Sequence, residues 1–306
     1  MGQRTAHPRL PNFFLAGAPK AGTTSLYHYL GQHPDVYVSP VKEPHYFASE
    51  IRPENFTANA RRLQTAAVGV WEDYLRLFEG SGGEAALGEG SVCYLWSPSA
   101  PVRIAAEVPG ARIILMLRDP AERAFSQYLQ GLGNGAIRWS LREHIRRNQR
   151  HNGAGQLCEH YPFLEFGLYS ESVCRYLRQF SASVWIGLYD DFCERPGEVC
   201  QSIFRFLDVD PSFAPALVAR YQVAQVPRVR AAAWLKRRGY WQAAARRTPA
   251  ALRPLIRKTL IRRPGQTRMS RADRSYLQDF YREDIQKLAG VLNRDLSAWL
   301  TDPLPV

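Results

Sequence analysis

Residues 12–26 read N-F-F-L-A-G-A-P-K-A-G-T-T-S-L. An apolar run, Phe13 to Ala16, enters a Gly/Pro loop that opens directly into a segment beginning with hydroxyl residues. A strand, a tight loop and a helix N-terminus in that order bind an anion, because backbone N–H groups converge there and the helix dipole favours negative charge. Gly17 and Gly22 have the spacing of G-x-x-x-x-G-K-[ST]. Thr23 stands where a nucleoside triphosphatase places its lysine, and Lys20 lies inside the loop instead. The anion expected here is therefore not the β/γ-phosphate of ATP.

Working outward, strand signals alternate with helix signals, which predicts an α/β fold with a parallel sheet. Strands are expected at 12–17, 36–39, 86–90, 111–117 and 184–189. Helices are expected at 23–33, 71–79, 98–107, 120–131, 139–150, 169–180 and 196–207. Gly80 to Gly83 and His151 to Pro162 read as loops. A final amphipathic helix is expected from Arg271 to Leu288, with Tyr276, Leu277, Phe280, Ile285 and Leu288 as its apolar side. A second strand–helix junction stands out at Leu117-Arg118-Asp119-Pro120. Pro120 suits the first helical position and Asp119 can cap it. Arg118 falls at the C-terminal edge of a parallel strand, where α/β proteins bind ligands, and Ser126 follows about two helical turns further on.

The 306 residues fit one large domain: an α/β core over 12–210 and a helical, basic C-terminal extension over 211–306. No apolar stretch reaches the roughly 20 residues of a membrane span. The first ten residues lack the apolar core of a secretory signal, and Ala6 stands where a myristoylation site carries Ser or Thr. A cytoplasmic location is the expectation. The five cysteines, at 93, 158, 174, 193 and 200, are scattered with no C-x-x-C, and read as reduced, mostly buried thiols. The net charge of +12 is concentrated: Pro211 to Ala272 holds fifteen Lys and Arg and no acid. Such a segment either meets an anionic partner or is a solvated basic face.

The two junctions together, A-P-K-A-G-T-T-S-L (18–26) and L-R-D-P-A-E-R-A-F-S-Q-Y (117–128), resemble the sulfotransferases that use 3′-phosphoadenosine 5′-phosphosulfate (PAPS). The likeness is to the branch shared by bacterial sulfotransferases and heparan-sulfate sulfotransferase domains. K-E-P-H-Y-F (42–47) is similar to that branch's K-E-x-x-[FY]-F. G-E-G-S-V-C-Y-L-W-S-P (88–98) is similar to G-E-x-S-P-x-Y, with Val92 in place of Pro. G-L-Y-S-E-S-V-C-R-Y-L (167–177), L-Y-D-D-F-C-E-R-P (188–196) and L-x-x-D-L-S-A-W-L (292–300) also agree. The resemblance implies a P-loop-like parallel β-sheet flanked by helices.

It also implies roles. Lys20 would neutralise the bridging oxygen as the P–O–S bond breaks, and Ala21, Gly22, Thr23, Thr24 and Ser25 would grip the 5′-phosphosulfate. Arg118 and Ser126 would hold the 3′-phosphate by charge-assisted hydrogen bonds. Glu43 would take the proton of the acceptor hydroxyl. Lys42 beside it is a candidate to orient the sulfuryl group, and His45 is a rival base, since imidazole titrates near neutrality. Tyr169 reads either as a neighbour of the 3′-phosphate or as a core tyrosine, and Arg123 as a surface or structural residue. PAPS is the implied co-substrate, with no metal. The acceptor is a hydroxyl of a carbohydrate, glycolipid or natural product.

In the basic segment, Arg263, Gly265 and Arg268 fall where relatives carry a basic, Gly-containing loop over the nucleotide. Leu252, Leu255, Ile256 and Leu260, flanked by Arg253, Arg257, Lys258 and Arg262, form a basic amphipathic stripe with the chemistry to lie on an anionic membrane. A helix packed on its own domain is the alternative. Two other functions compete. A nucleotide kinase or NTPase is opposed by Thr23 and by the lack of a clear Mg²⁺-binding Asp after an apolar strand. A nucleic-acid-binding protein is opposed by the absence of a helix-turn-helix, OB or RRM signal.

Overall fold

The computed structural model describes residues 9–48, 68–134, 136–151, 163–217 and 268–301. Its elements begin with β1 (Phe13–Gly17), α1 (Thr23–Leu30), β2 (Val36–Val38), α2 (Trp71–Arg76) and β3 (Ala86–Gly90). They continue with α3 (Ala100–Glu107), β4 (Arg112–Leu117), α4 (Pro120–Asn134), α5 (Leu141–His151) and α6 (Ser170–Phe180). β5 (Val184–Leu188), α7 (Tyr189–Glu194), α8 (Pro196–Phe206) and α9 (Arg271–Leu292) complete the order.

The five strands form one sheet in the order β2-β3-β1-β4-β5, and every neighbouring pair is parallel. β1 is central and wholly buried, as are β3 and residues Ile113–Leu117 of β4. Strands covered on both faces read as continuous apolar runs rather than alternating ones, which is why F-F-L-A and I-I-L-M-L marked them. Among the described residues, no helix is long and apolar enough to cross a membrane.

The chain divides into two compact units. The first comprises 1–118, 168–221 and 284–294 and contains the whole sheet. The second comprises 119–167, 222–283 and 295–306. The division does not follow position 210.

In the second unit, Asp119 caps α4 as expected, its Oδ1 accepting from the amides of Ala121 (2.8 Å) and Glu122 (3.3 Å). Oδ2 accepts from Arg274 at 3.0 Å. Arg123 is a structural residue but not a surface one: it is fully buried and donates to Gln127 and to the carbonyl of Phe163. The inward face of α9 differs from the expected stripe. Leu277, Ile285 and Leu288 are buried, but so are Arg274, Gln278 and Tyr281, whereas Phe280 is exposed and Tyr276 half-buried. The polar members earn burial through partners. Gln278 donates its amide to the carbonyls of Trp299 (3.2 Å) and Thr301 (3.0 Å), and Arg274 pairs with Asp119 and Glu122. Tyr276 instead carries the Arg142 guanidinium over its ring at 4.8 Å.

A smaller correction concerns β5, which ends at Leu188. Tyr189 already opens α7, whose first turn carries Asp190 and Asp191, acids that favour a helix N-terminus.

Candidate active site

The site lies in the first unit, where residues following adjacent strands converge at the C-terminal edge of the sheet, the ligand edge of open α/β folds. β1 leads into the loop 18–22, whose shape is set by its backbone. The amide of Ala18 donates to the carbonyl of Met116 in β4 (2.6 Å). Lys20 and Gly22 take left-handed conformations, with φ 68° and 76°. At Gly22 glycine is required twice over. Besides its φ, a Cβ there would lie 2.8 Å from the Tyr189 ring. Gly22 is also the N-cap of α1 and makes no side-chain cap bond, and the amides of a helix's first turn, which no helix satisfies internally, favour an anion. Thr23 and Ser25 are buried, and Thr24 is half-buried.

Arg118, directly after β4, reaches across to this loop. Its Nη1 donates to the carbonyl of Lys20 at 2.9 Å. Its guanidinium carbon sits 4.6 Å from the centroid of the Tyr189 ring, a cation–π contact. Arg118 is itself held from behind: Tyr169 donates its hydroxyl to the Arg118 carbonyl at 3.0 Å. The amide of Tyr169 in turn donates to Asp284 Oδ2 (2.7 Å), and Ser170 at the start of α6 donates amide and hydroxyl to the same carboxylate. Tyr169 is therefore a buried core tyrosine that positions Arg118.

Glu43, His45 and Lys42 come from the segment after β2, which is pinned to the extension of β3 at alternate residues. The amide of Glu43 donates to the carbonyl of Gly90 (2.9 Å), that of His45 to Ser91 Oγ (3.1 Å) and that of Phe47 to the Tyr94 hydroxyl (3.2 Å). K-E-P-H-Y-F and G-E-G-S-V-C-Y are thus two sides of one structure. Glu43 and His45 both carry positive φ, 64° and 57°. Left-handed non-glycine residues cluster at functional sites, held there by their surroundings. Lys42 Nζ lies 2.7 Å from Glu43 Oε1, and His45 Nε2 lies 3.7 Å from Glu43 Oε2. Nδ1 of His45 meets the Cys93 sulfur at 2.9 Å.

Burial alone would raise the Glu43 carboxyl, but Lys42, His45 and Lys20 outweigh it and hold it below its ordinary value. Burial lowers His45 and Lys42 lowers it further, while Glu43 opposes both, so the ring is neutral near pH 7. Lys20 is the weakest of these influences on Glu43. Glu89, in β3, is completely buried. Desolvation pushes its carboxyl up to about 7, against hydrogen bonds from Tyr94, Ser91 and Tyr74 and the charge of Lys42.

The first unit thus brings together Lys20, Ala21, Gly22, Thr23, Thr24, Ser25, Lys42, Glu43, His45 and Arg118. Ser126 lies on α4 in the second unit, half-buried. Arg268, also of the second unit, is exposed. Arg263, Gly265 and the stripe 252–262 lie outside the described residues. Among the described residues, no group of three or more His, Cys, Asp or Glu could hold a metal ion. Reading the sequence missed Tyr189, Cys93, Glu89 and Asp284. Tyr189, Cys93 and Glu89 did fall inside quoted motifs. Nothing local marks Asp284, whose partners are 114 and 115 positions away.

No protein-family profile matches the chain. A sulfotransferase of known crystal structure from Alicyclobacillus acidocaldarius superposes with a TM-score of 0.75 at 30% identity, covering 96% of this chain and 100% of that one. The chain belongs to the sulfotransferase family. In sequence it is 28% identical over 260 residues to mouse carbohydrate sulfotransferase 15, covering 66% of this chain and 44% of that protein. It is 25% identical over 307 aligned positions to the Xenopus laevis bifunctional heparan sulfate N-deacetylase/N-sulfotransferase 1, covering 97% of this chain and 31% of that protein. The chain therefore spans less than half the length of these curated relatives.

Proposed function

We propose that this sulfotransferase moves a sulfuryl group from PAPS to a hydroxyl of a carbohydrate, glycolipid or natural-product acceptor. The observation that carries the reading is the convergence, at the ends of the neighbouring strands β1 and β3, of the anion-binding loop with Lys20, clamped by Arg118 at 2.9 Å, and of Glu43, whose amide is tied to Gly90 at 2.9 Å. It puts a cation for a leaving group and a carboxylate for an acceptor proton in one place. The donor set fits an anionic nucleotide: two cations, three hydroxyl residues and a helix N-terminus. When bound, PAPS supplies the activated sulfuryl group.

The chain's own residues do the rest. The amides at the start of α1 and the hydroxyls of Thr23, Thr24 and Ser25 hold the phosphosulfate end. Lys20 neutralises the charge that develops on the bridging oxygen. Positioning and preorganised charge supply most of the acceleration in such transfers. Glu43, ionised by its cationic neighbours, accepts the proton of the acceptor hydroxyl, and Lys42 on Oε1 fixes the carboxylate. Arg118, its backbone carbonyl held by Tyr169, would hold the 3′-phosphate. The carbohydrate class draws support from the mouse carbohydrate sulfotransferase and the Xenopus heparan sulfate N-sulfotransferase, both of which act on carbohydrates.

Ligand-induced thermal shift tests the nucleotide. Adenosine 3′,5′-bisphosphate (PAP) stabilises the chain with or without EDTA, because a ligand that binds only the folded state raises its stability. Stabilisation by ATP–Mg²⁺ or by oligonucleotides, and not by PAP, would overturn the reading. Mass spectrometry of products from PAPS and a panel of hydroxylated acceptors then identifies the acceptor.

A further inference from the structure

His45 and Cys93 occupy the unspecified positions of K-E-x-x-[FY]-F and G-E-x-S-P-x-Y, so the motifs themselves assign neither a role. Both are buried, and Sγ lies 2.9 Å from Nδ1. The backbone of His45 is tied to Ser91, two residues before Cys93. The ring is therefore held at its amide and at one nitrogen by the same stretch of chain. Its other nitrogen, Nε2, faces Glu43 Oε2 at 3.7 Å.

A neutral imidazole carries one hydrogen, on Nδ1 or on Nε2. A lone pair on Nε2 would face an ionised carboxylate and be repelled, whereas an N–H there is attracted. That places the hydrogen on Nε2 and leaves Nδ1 an acceptor. The thiol is a donor at hydrogen-bonding range of that acceptor.

We propose that Cys93 is a positioning residue: its thiol donates to Nδ1 of His45 and fixes the tautomer whose Nε2–H points at Glu43. The inference rests on the reading of Glu43 as the base, and it sharpens that reading. With its Nε2 protonated and its Nδ1 lone pair taken by the Cys93 thiol, His45 has no lone pair left for an acceptor proton. It acts instead as the second cover on the Glu43 carboxylate, opposite Lys42.

The test is nitrogen NMR of the intact, ¹⁵N-labelled protein, with kinetics of Cys93→Ser and Cys93→Ala. The wild-type His45 spectrum is expected to show the hydrogen on Nε2 and a hydrogen-bonded, unprotonated Nδ1. Cys93→Ala loses the Nδ1 hydrogen bond, and kcat falls about 3- to 10-fold, the equivalent of one neutral hydrogen bond, at unchanged KM for PAPS. Cys93→Ser keeps a donor and retains most of kcat. A hydrogen on Nδ1 in the wild-type ring overturns the proposal. So does a Cys93→Ser variant that loses as much kcat as Cys93→Ala, since the thiol would then matter only for packing. The ring spectrum requires neither turnover nor a stable alanine variant. A chain that shows the expected tautomer but no sulfuryl transfer refutes the base assignment and leaves the pairing standing.

Discussion

Arg118 donates to the backbone carbonyl of Lys20, so the arginine after β4 holds the lysine of the anion loop in place. The two residues are 98 positions apart. Their mutants should therefore overlap in one direction only. If Lys20 acts on the leaving group as proposed, Lys20→Ala lowers kcat far more than it weakens PAP binding. Arg118→Ala is expected to raise KM for PAPS through loss of the proposed phosphate contact and also to lower kcat, because the loop loses its clamp. Steady-state kinetics with PAP titration on both variants checks this. An Arg118→Ala enzyme with normal kcat would show that the clamp is idle.

Glu43→Gln keeps the shape of the side chain and removes the proposed base. Loss of a general base costs about 10²–10⁴-fold in rate, and PAP affinity stays near wild type. His45→Ala is milder. The pH profile gives an independent check. Glu43 is held below its ordinary carboxylate value, so its active, ionised form persists as pH falls and is lost only as pH drops through that depressed value. The acid limb of kcat/KM should lie in the carboxylate range. A limb nearer the histidine range would transfer the role to His45.

Gly22→Ala places a methyl group against the Tyr189 ring at a residue with φ 76°. A left-handed non-glycine residue costs on the order of 1–3 kcal/mol, and the ring must move as well. Tyr189 also carries the Arg118 guanidinium, so PAP affinity should fall along with thermal stability. Ala at the exposed Gly83, where a Cβ meets nothing within 4 Å, is the control and should change neither. Calorimetric titration and melting curves on both variants decide it.

Glu89 gives a stability signature. Its folded value of about 7 lies above the ordinary 4.5, so the native state holds this proton more tightly than the unfolded chain. The resulting stabilisation is complete below about pH 4.5 and is lost as pH rises through 7. A shift of this size corresponds to roughly 3 kcal/mol at most. Glu89→Gln should flatten the fall in Tm between pH 5 and pH 8. An unchanged slope would place that titration elsewhere.

The sheet was legible because its strands are covered on both faces and read as unbroken apolar runs. The anion loop was legible because its chemistry is local: glycines, a lysine and hydroxyls within a few residues. Tyr189 escaped detection because its task, a platform under Arg118 and a wall beside Gly22, exists only after three distant segments meet. Asp284 escaped for the same reason. On α9, hydrophobicity pointed to Phe280, yet Arg274 and Gln278 are the residues that go inside. A periodicity of apolar residues cannot register polar groups that are buried because their hydrogen bonds are met. Cys93 looked like an inert thiol, since a sequence shows its neighbours in the chain and not the imidazole across from it.

The pinning of residues 43, 45 and 47 to the β3 extension imposes a parity on this part of the chain. A one-residue insertion or deletion between Ser39 and Lys42 would present Lys42 or Pro44 where Glu43 now stands. Proline has no amide hydrogen to offer Gly90, and lysine would reverse the sign of the charge facing the acceptor. Homologues and engineered loops that keep the function should therefore differ here by substitution, or by length changes made before the first pinned residue and compensated there.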